Sequence, residues 1–340
     1  MDASSRSRAD TSKQSDQGAP PSPWKPTQPL FQGDPNADVI LQSMDEFEFR
    51  VQKNILVIVS PLFRDMFSVG GPSERVPTEE TTQIPELRAV PMLEETGDVV
   101  EKLLQLCYPG PLEPPTWSGA TDVYPVLAAA IKYQVEGVVG VLRKALVSRK
   151  FLEEEPLRVF AMACRARLQE EARTAAQQTL RISDIGMSQE IDEFQFISGR
   201  TFYRLLKYRS ECRTAAPTVV ANGESMAWDT RRDWVWIACK ASNGACAAKH
   251  RTSIESIHYH CGVSGWWNNY CSQAVSALDA SPRGESVTAA AILTPALSEA
   301  LKCTYCSSKA LQHLQEFSGL LAQEVDKKTR EIADTYDFCA

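Results

Sequence analysis

DVILQSMDEFEFRVQKNILVIVSPLFRDMF, residues 38–67, changes its hydrophobic rhythm three times. DVILQ and EFEFRVQ are β-prone runs separated by polar residues around Ser43 to Glu46, the pattern of a hairpin. In the second run Phe47, Phe49 and Val51 alternate with Glu48, Arg50 and Gln52, so one face is buried and the other solvated. ILVIV, residues 55–59, reads differently by propensity and by length: its β-branched residues favour a strand, while a five-residue run suits either state. Ser60 followed by Pro61 starts a helix, a capping hydroxyl before a proline at the first helical position. Leu62, Phe63, Met66 and Phe67 then form its apolar stripe, and Gly70 and Gly71 end it.

Upstream, residues 1–36 are rich in Ser, Asp and Pro and almost without bulky apolar residues before Trp24. Such a segment buries too little surface to offset its chain entropy and is expected to be a disordered tail. Downstream, a short strand is expected at Ala89 to Leu93 and a helix at Asp98 to Tyr108, stopped by Pro109 and Gly110. Val126, Leu127, Ile131, Val135, Val138, Leu142 and Leu146 recur at helical spacing, with a break expected near Gly137. Pro156 opens a helix whose inner face is Leu157, Phe160, Ala161, Cys164 and Leu168; another covers roughly Glu170 to Arg181. A further helix runs from a Ser198 cap towards Arg213, and residues 214–225 read as a linker.

The last third differs in composition. Seven of the ten cysteines and all four histidines lie beyond residue 238, and five of the seven tryptophans lie from Trp228 onward. A strand is expected at Trp234 to Cys239 and another at Ile254 to Cys261. Trp266, Tyr270, Ala274 and Leu278 share one helical face, Pro295 to Leu301 is a short helix, and Leu311, Leu314, Phe317, Leu321 and Val325 stripe a closing helix.

Net charge is −7, so no global basic field draws the chain to nucleic acid or to an anionic membrane. No apolar run approaches the roughly 18 residues of a membrane span, and the first residues lack the apolar core of a secretory signal. A reducing compartment, cytoplasm or nucleus, is therefore expected, where cysteines serve as thiols or metal ligands. Cys303-x-x-Cys306 has the spacing of a metal knuckle, and Cys239 with Cys246 is the best second pair, with His250, His258 or His260 able to replace a ligand. One structural zinc ion and a reduced, packed cysteine core both satisfy this pattern. Cys107 and Cys164 lie on apolar helical faces and read as core. The basic helix Arg200, Arg204, Lys207, Arg209, Arg213 suits a solvated face better than a phosphate contact. No phosphate loop, dinucleotide fingerprint, nucleophile elbow or zinc-protease helix occurs, so the chain is not expected to be an enzyme.

Residues 38–67 resemble the opening of a BTB/POZ domain: Asp38 before the first strand, Phe49 in the second, Leu56 in a following helix, and Ser60, Phe63 and Met66 in the next. LLQLCYPG and VLAAAIKYQVEGVVGVLRKALVS resemble its later helices. Residues 149–213 resemble the helical extension of BTB proteins from mushroom-forming, basidiomycete fungi. The resemblance implies that ILVIV is helical, against its propensity, and that Asp38, Phe49, Leu56, Ser60, Phe63 and Met66 build the core and dimer-facing layer. Gln52 stands where many such domains carry histidine, and SVGGPSERVP, residues 68–77, lacks a clean form of the hydrophobic-x-Glu pattern of cullin-binding members.

The expected fold class is α+β: a tail (1–36), a BTB/POZ domain (37–148), a helical extension (149–213), a linker (214–227) and a small Cys/His/Trp-rich α+β module (228–340). The function this implies is protein–protein interaction, by homodimerisation or pairing with another BTB protein, with partner binding through the C-terminal module. Two alternatives are a substrate adaptor that binds a cullin scaffold of a ubiquitin ligase and a nucleic-acid-associated regulator, the latter disfavoured by charge.

Overall fold

The computed structural model describes residues 30–69, 88–92, 94–110, 113–186, 190–222, 233–239, 241, 246 and 263–340. The chain divides into two compact units, residues 1–114 and 115–340.

In the first unit, α1 (Leu30–Gly33) precedes the hairpin of β1 (Val39–Gln42) and β2 (Glu48–Val51). The strands pair antiparallel with Val39 opposite Val51 and Leu41 opposite Phe49, and all four side chains are buried. That is the alternation read from sequence. The turn closes on Ser43, whose hydroxyl donates to Asp45 Oδ1 (2.6 Å) and accepts the Phe47 amide (3.0 Å). Asp45 Oδ1 also accepts the Gly97 amide at 2.7 Å, tying the turn to the start of α4 (Gly97–Cys107). β3 (Arg88–Pro91) pairs parallel with β1 and completes the order β2-β1-β3.

ILVIV lies in α2 (Lys53–Val59), as the resemblance implied and propensity did not. Capping accounts for this outcome. Asp38 Oδ1 accepts the first helical amide, Lys53, at 2.6 Å, supplying an acceptor that an N-terminal turn needs. The Ser60 amide closes the other end on the Leu56 carbonyl. Ser60 Oγ then accepts the Phe63 amide at 3.1 Å and starts α3 (Pro61–Val69), the expected cap. The expected tail ends too late: Phe31 in α1 is fully buried, edge-on to Phe49 and Tyr108, and Asp34 accepts a 2.7 Å bond from Gln52 Nε2. One buried aromatic supplies what the polar composition of this segment conceals.

The described elements of the second unit are helical. They are α5 (Ala120–Lys132), α6 (Glu136–Leu146), α7 (Arg149–Glu154), α8 (Pro156–Arg165), α9 (Gln169–Gln178), α10 (Gly199–Asn222), α11 (Val235–Ala238), α12 (Gly265–Ala280), α13 (Gly284–Thr288), α14 (Ala290–Ala300) and α15 (Ala310–Asp334), with 3₁₀ turns at Thr179–Arg181 and Asp192–Phe196. Glu155 organises the first of these. Its Oε1 accepts the Ala120 amide at 2.6 Å and its Oε2 the Arg158 guanidinium at 2.8 Å, while Arg158 Nε reaches Glu193.

Several boundaries differ from the sequence reading. The break after α5 falls at Gln134, in the left-handed region at φ 55°, and Gly137 lies within α6. Residues 214–222, read as linker, continue α10 through Pro217, because Ala216, Val219 and Val220 are buried in the C-terminal core. Pro295 lies inside α14 instead of opening it. Trp234 to Cys239 contains a helical turn, α11, in place of a strand. No strand occurs among the described residues of 228–340, and the strand expected at 254–261 falls outside them. Leu311 is exposed, whereas Leu314, Phe317, Leu321 and Val325 are fully buried as expected.

Candidate metal centre and interaction surface

The C-terminal core is built on aromatic rings. Trp234 stacks on Trp236 (4.8 Å between centroids), Trp236 stacks on Trp267 (5.7 Å), and Phe317 of α15 meets Trp234, Trp236, Trp267 and Tyr270 edge-on at 5.4–6.0 Å. These offset and T-shaped contacts are the favoured aromatic geometries. They seat α11, whose Val235 amide donates to His313 Nδ1 at 3.1 Å and whose Trp236 carbonyl accepts the Ser264 amide at 2.9 Å. Cys239 leaves α11 directly into the core.

The second pair comes from the turn between α14 and α15. The Cys303 amide bonds to the Ala300 carbonyl, the Ser307 amide to that of Cys303, and the Ala310 amide to that of Cys306. The turn is thus fastened to the helices on both sides. Cys303, Cys306, Cys239 and Cys246 are all buried, and their four sulfurs lie within 4.8 Å of one another. Cys239 Sγ is 3.7 Å from Cys303 Sγ, and Cys246 Sγ is 3.6 Å from Cys306 Sγ. The sequence named these four residues, and the fold brings them together.

Those separations fit a metal tetrahedron. Four sulfurs each about 2.3 Å from one ion stand about 3.8 Å apart, and a disulfide would need about 2.05 Å. All four are free thiols. Burial alone would raise Cys303, but the Cys306 amide, the Cys246 thiol, the Tyr305 amide and the Cys239 thiol together bring it down to about 7. Backbone amides donating to the first sulfur of the Cys-x-x-Cys turn stabilise its charge as a metal ligand requires. Burial pushes Cys246 up to about 11 despite a bond from Ser264, and pushes Cys306 up although the Trp266 indole favours its ionised form. A metal ion held by these buried thiols would supply the positive charge that favours their ionised form. The cluster can hold a metal ion, and a set of four protein sulfurs leaves no coordination position for a substrate. His250, His258 and His260 lie outside the described residues.

In the first unit, Asp38 is exposed and caps α2, while Phe49, Leu56, Ser60 and Phe63 are buried and Met66 is partly so. Leu56 and Phe63 therefore serve the interior. The apolar side chains that α2 and α3 present outward are Ile58 (77% exposed), Leu62 (37%) and Val69 (87%). Sequence reasoning missed Ile58, because a helical run of five aliphatic residues gives no sign of which one faces out, and it gave Val69 at the end of α3 no role. Burial raises the Tyr108 hydroxyl to about 12, although the Gln52 amide donates to its oxygen at 2.7 Å. Of residues 68–77, where the cullin-binding pattern was sought, 70–77 lie outside the described residues.

The basic helix is committed within its own unit. Arg204 donates to the Asp337 and Ala340 carbonyls, Arg209 to those of Thr179 and Ile182, and Arg213 to that of Ser183 (2.5 Å). Burial and the neighbouring Arg213 lower Arg209 to about 10. These guanidiniums act as caps on the carbonyls at the end of the 3₁₀ turn and on the C-terminal segment, so the solvated-face reading of the helix is incomplete.

The hairpin, the short helices after it and the third strand form a mixed α+β unit. Residues 27–150 match the BTB/POZ domain, so this part of the chain is such a domain. Comparison with curated proteins gives no match. Among the described residues no helix is long and apolar enough to cross a membrane.

Proposed function

We propose that the chain is a non-enzymatic interaction protein of the cytoplasm or nucleus. Its BTB/POZ domain pairs with a second copy or another BTB protein, and its C-terminal region, held by one structural zinc ion, binds the partner. Ile58, Leu62 and Val69 carry the pairing: three large apolar side chains on consecutive helices leave water when the faces meet, each worth about 1.5–3 kcal/mol if fully buried. The closed set of four thiols supports zinc, which favours tetrahedral sulfur and undergoes no redox change.

Light scattering of the intact protein tests the pairing. A dimer mass is expected for the unaltered chain, and a folded monomer, by circular dichroism, for Ile58→Asp combined with Val69→Asp. A double variant that keeps the dimer mass would overturn the assignment of this face. Elemental analysis is expected to give one zinc per chain, lost in Cys303→Ser; metal-free protein prepared without chelator would overturn the zinc assignment.

A further inference from the structure

A cavity of about 180 Å³ opens in the second unit between α10 and the stretch that follows the 3₁₀ turn Thr179–Arg181. Its lining runs from the buried Ile185 and Pro282 to the exposed Ser183, Ser210 and Arg213, with Arg209 and Asp184 among them. The charged groups of this lining are two guanidiniums and one carboxylate. Arg209 and Arg213 are four residues apart and so share one face of α10, where like charges oppose each other. Burial and the neighbouring Arg213 accordingly lower Arg209.

Backbone carbonyls hold both side chains in place. Arg209 donates to the carbonyls of Thr179 and Ile182, and Arg213 to that of Ser183 at 2.5 Å. Carbonyls orient the guanidiniums without supplying a formal negative charge. Among the described residues neither arginine is in an ion pair. A guanidinium has five N–H donors, so both keep donors that no protein acceptor takes. Asp184, the carboxylate of the lining, accepts the Gly186 amide on Oδ1 at 2.8 Å. We propose that this cavity binds a phosphate-class dianion, inorganic phosphate or the phosphate of a monoester, between the guanidiniums of Arg209 and Arg213.

Size, charge and donor geometry agree on this class of ligand. One water molecule needs about 10–15 Å³ of such space, so the cavity admits a tetrahedral anion and the group attached to it. The planar guanidinium fork matches two oxygens of a phosphate at once. Two cations against one carboxylate attract a dianion more strongly than a monoanion, and a dianion between them removes their mutual repulsion. The Ser183 and Ser210 hydroxyls add donors for the remaining oxygens. Beside them, Ile185 and Pro282 offer apolar contact to the organic part of a monoester. The site shares no residue with the sulfur cluster or with the outward face of α2 and α3.

The test is isothermal titration calorimetry of the intact protein with inorganic phosphate, N-acetyl-O-phosphoserine amide and acetate, at matched ionic strength. Saturable binding of phosphate or of the monoester at one site per chain is expected, with acetate about tenfold weaker or more. Tighter binding of the monoester identifies a phosphorylated organic ligand as the source; equal or weaker binding identifies free phosphate. Arg213→Gln alters an exposed side chain and keeps a donor for the Ser183 carbonyl, so the fold should persist by circular dichroism while binding weakens about tenfold. Asp184→Asn keeps the Oδ1 acceptor for Gly186 and removes the opposing charge, so binding should tighten about threefold, a gain that a purely structural role of the arginines does not give. The proposal is overturned by the absence of saturable heat with both phosphate probes, by acetate binding as tightly as they do, or by affinities unchanged in both variants.

Discussion

Replacing Gly284 by alanine tests how α13 is seated on α15. A Cβ built at Gly284 would lie 2.6 Å from the Ala322 carbonyl oxygen, 2.6 Å from Asp326 Oδ2 and 2.9 Å from Asp326 Cγ. The Asp326 side chain can rotate away, but the Ala322 carbonyl belongs to the backbone of α15 and cannot. The two helices must therefore separate, at about 1–3 kcal/mol for an overpacked contact. The Gly284 amide, which donates to Asp326 Oδ1 at 2.7 Å, then lengthens its bond at about 1 kcal/mol more. The expected loss is about 2–4 kcal/mol. Gly319 supplies the control, since it lies inside α15 with nothing within 4 Å of its missing Cβ. Gly319→Ala should stabilise by about 0.5–1 kcal/mol, the helical preference of alanine. Urea unfolding followed by tryptophan fluorescence reads both variants, because Trp234, Trp236, Trp266 and Trp267 lie in the core that α12 and α15 share. If the two variants shift the midpoint by the same amount or in the same direction, the close approach of α13 to α15 is wrong.

Other expected outcomes follow from packing and charge. Phe317→Ala should lose about 3–5 kcal/mol in the same urea assay, since one buried ring contacts four aromatic neighbours. Glu155→Ala should lower the melting temperature in calorimetry, at about 2–3 kcal/mol, because it strips the buried Ala120 amide of its acceptor and Arg158 of one carboxylate. Burial raises Cys107 from 9.0 to about 12, so the folded state keeps a proton that the unfolded state releases; the associated stability is complete below pH 9 and lost as pH rises through about 12. Cys107→Ala should flatten that alkaline loss in pH-dependent denaturation, and a profile identical to the unaltered chain would contradict the burial.

The parts legible in sequence were those where one residue fixes a local geometry. The Phe49 and Val51 alternation, the Ser60 cap and the Trp266, Tyr270, Ala274, Leu278 face each appear where the pattern placed them. The cysteine cluster was legible as spacing, because a Cys-x-x-Cys turn is local, but its closure depends on the tryptophan stack, for which no spacing rule exists. Propensity failed at ILVIV and at Trp234 to Cys239, where β-rich or aromatic runs became helical turns under capping and tertiary packing. Proline and threonine at 214–218 suggested a linker, and burial of Ala216, Val219 and Val220 overrode them.

The sulfur cluster also bears on how the C-terminal core comes into being. Its cross-contacts join residues 64 and 60 positions apart, so they are among the non-local closures that slow folding. At a synthesis rate of about 5–20 residues per second, Cys239 and Cys246 wait on the order of several seconds for Cys303 and Cys306 to be made. During that interval the first two thiols and the tryptophans beside them have no partners from α15, and the nascent segment is a client for whatever shields exposed aromatic surface.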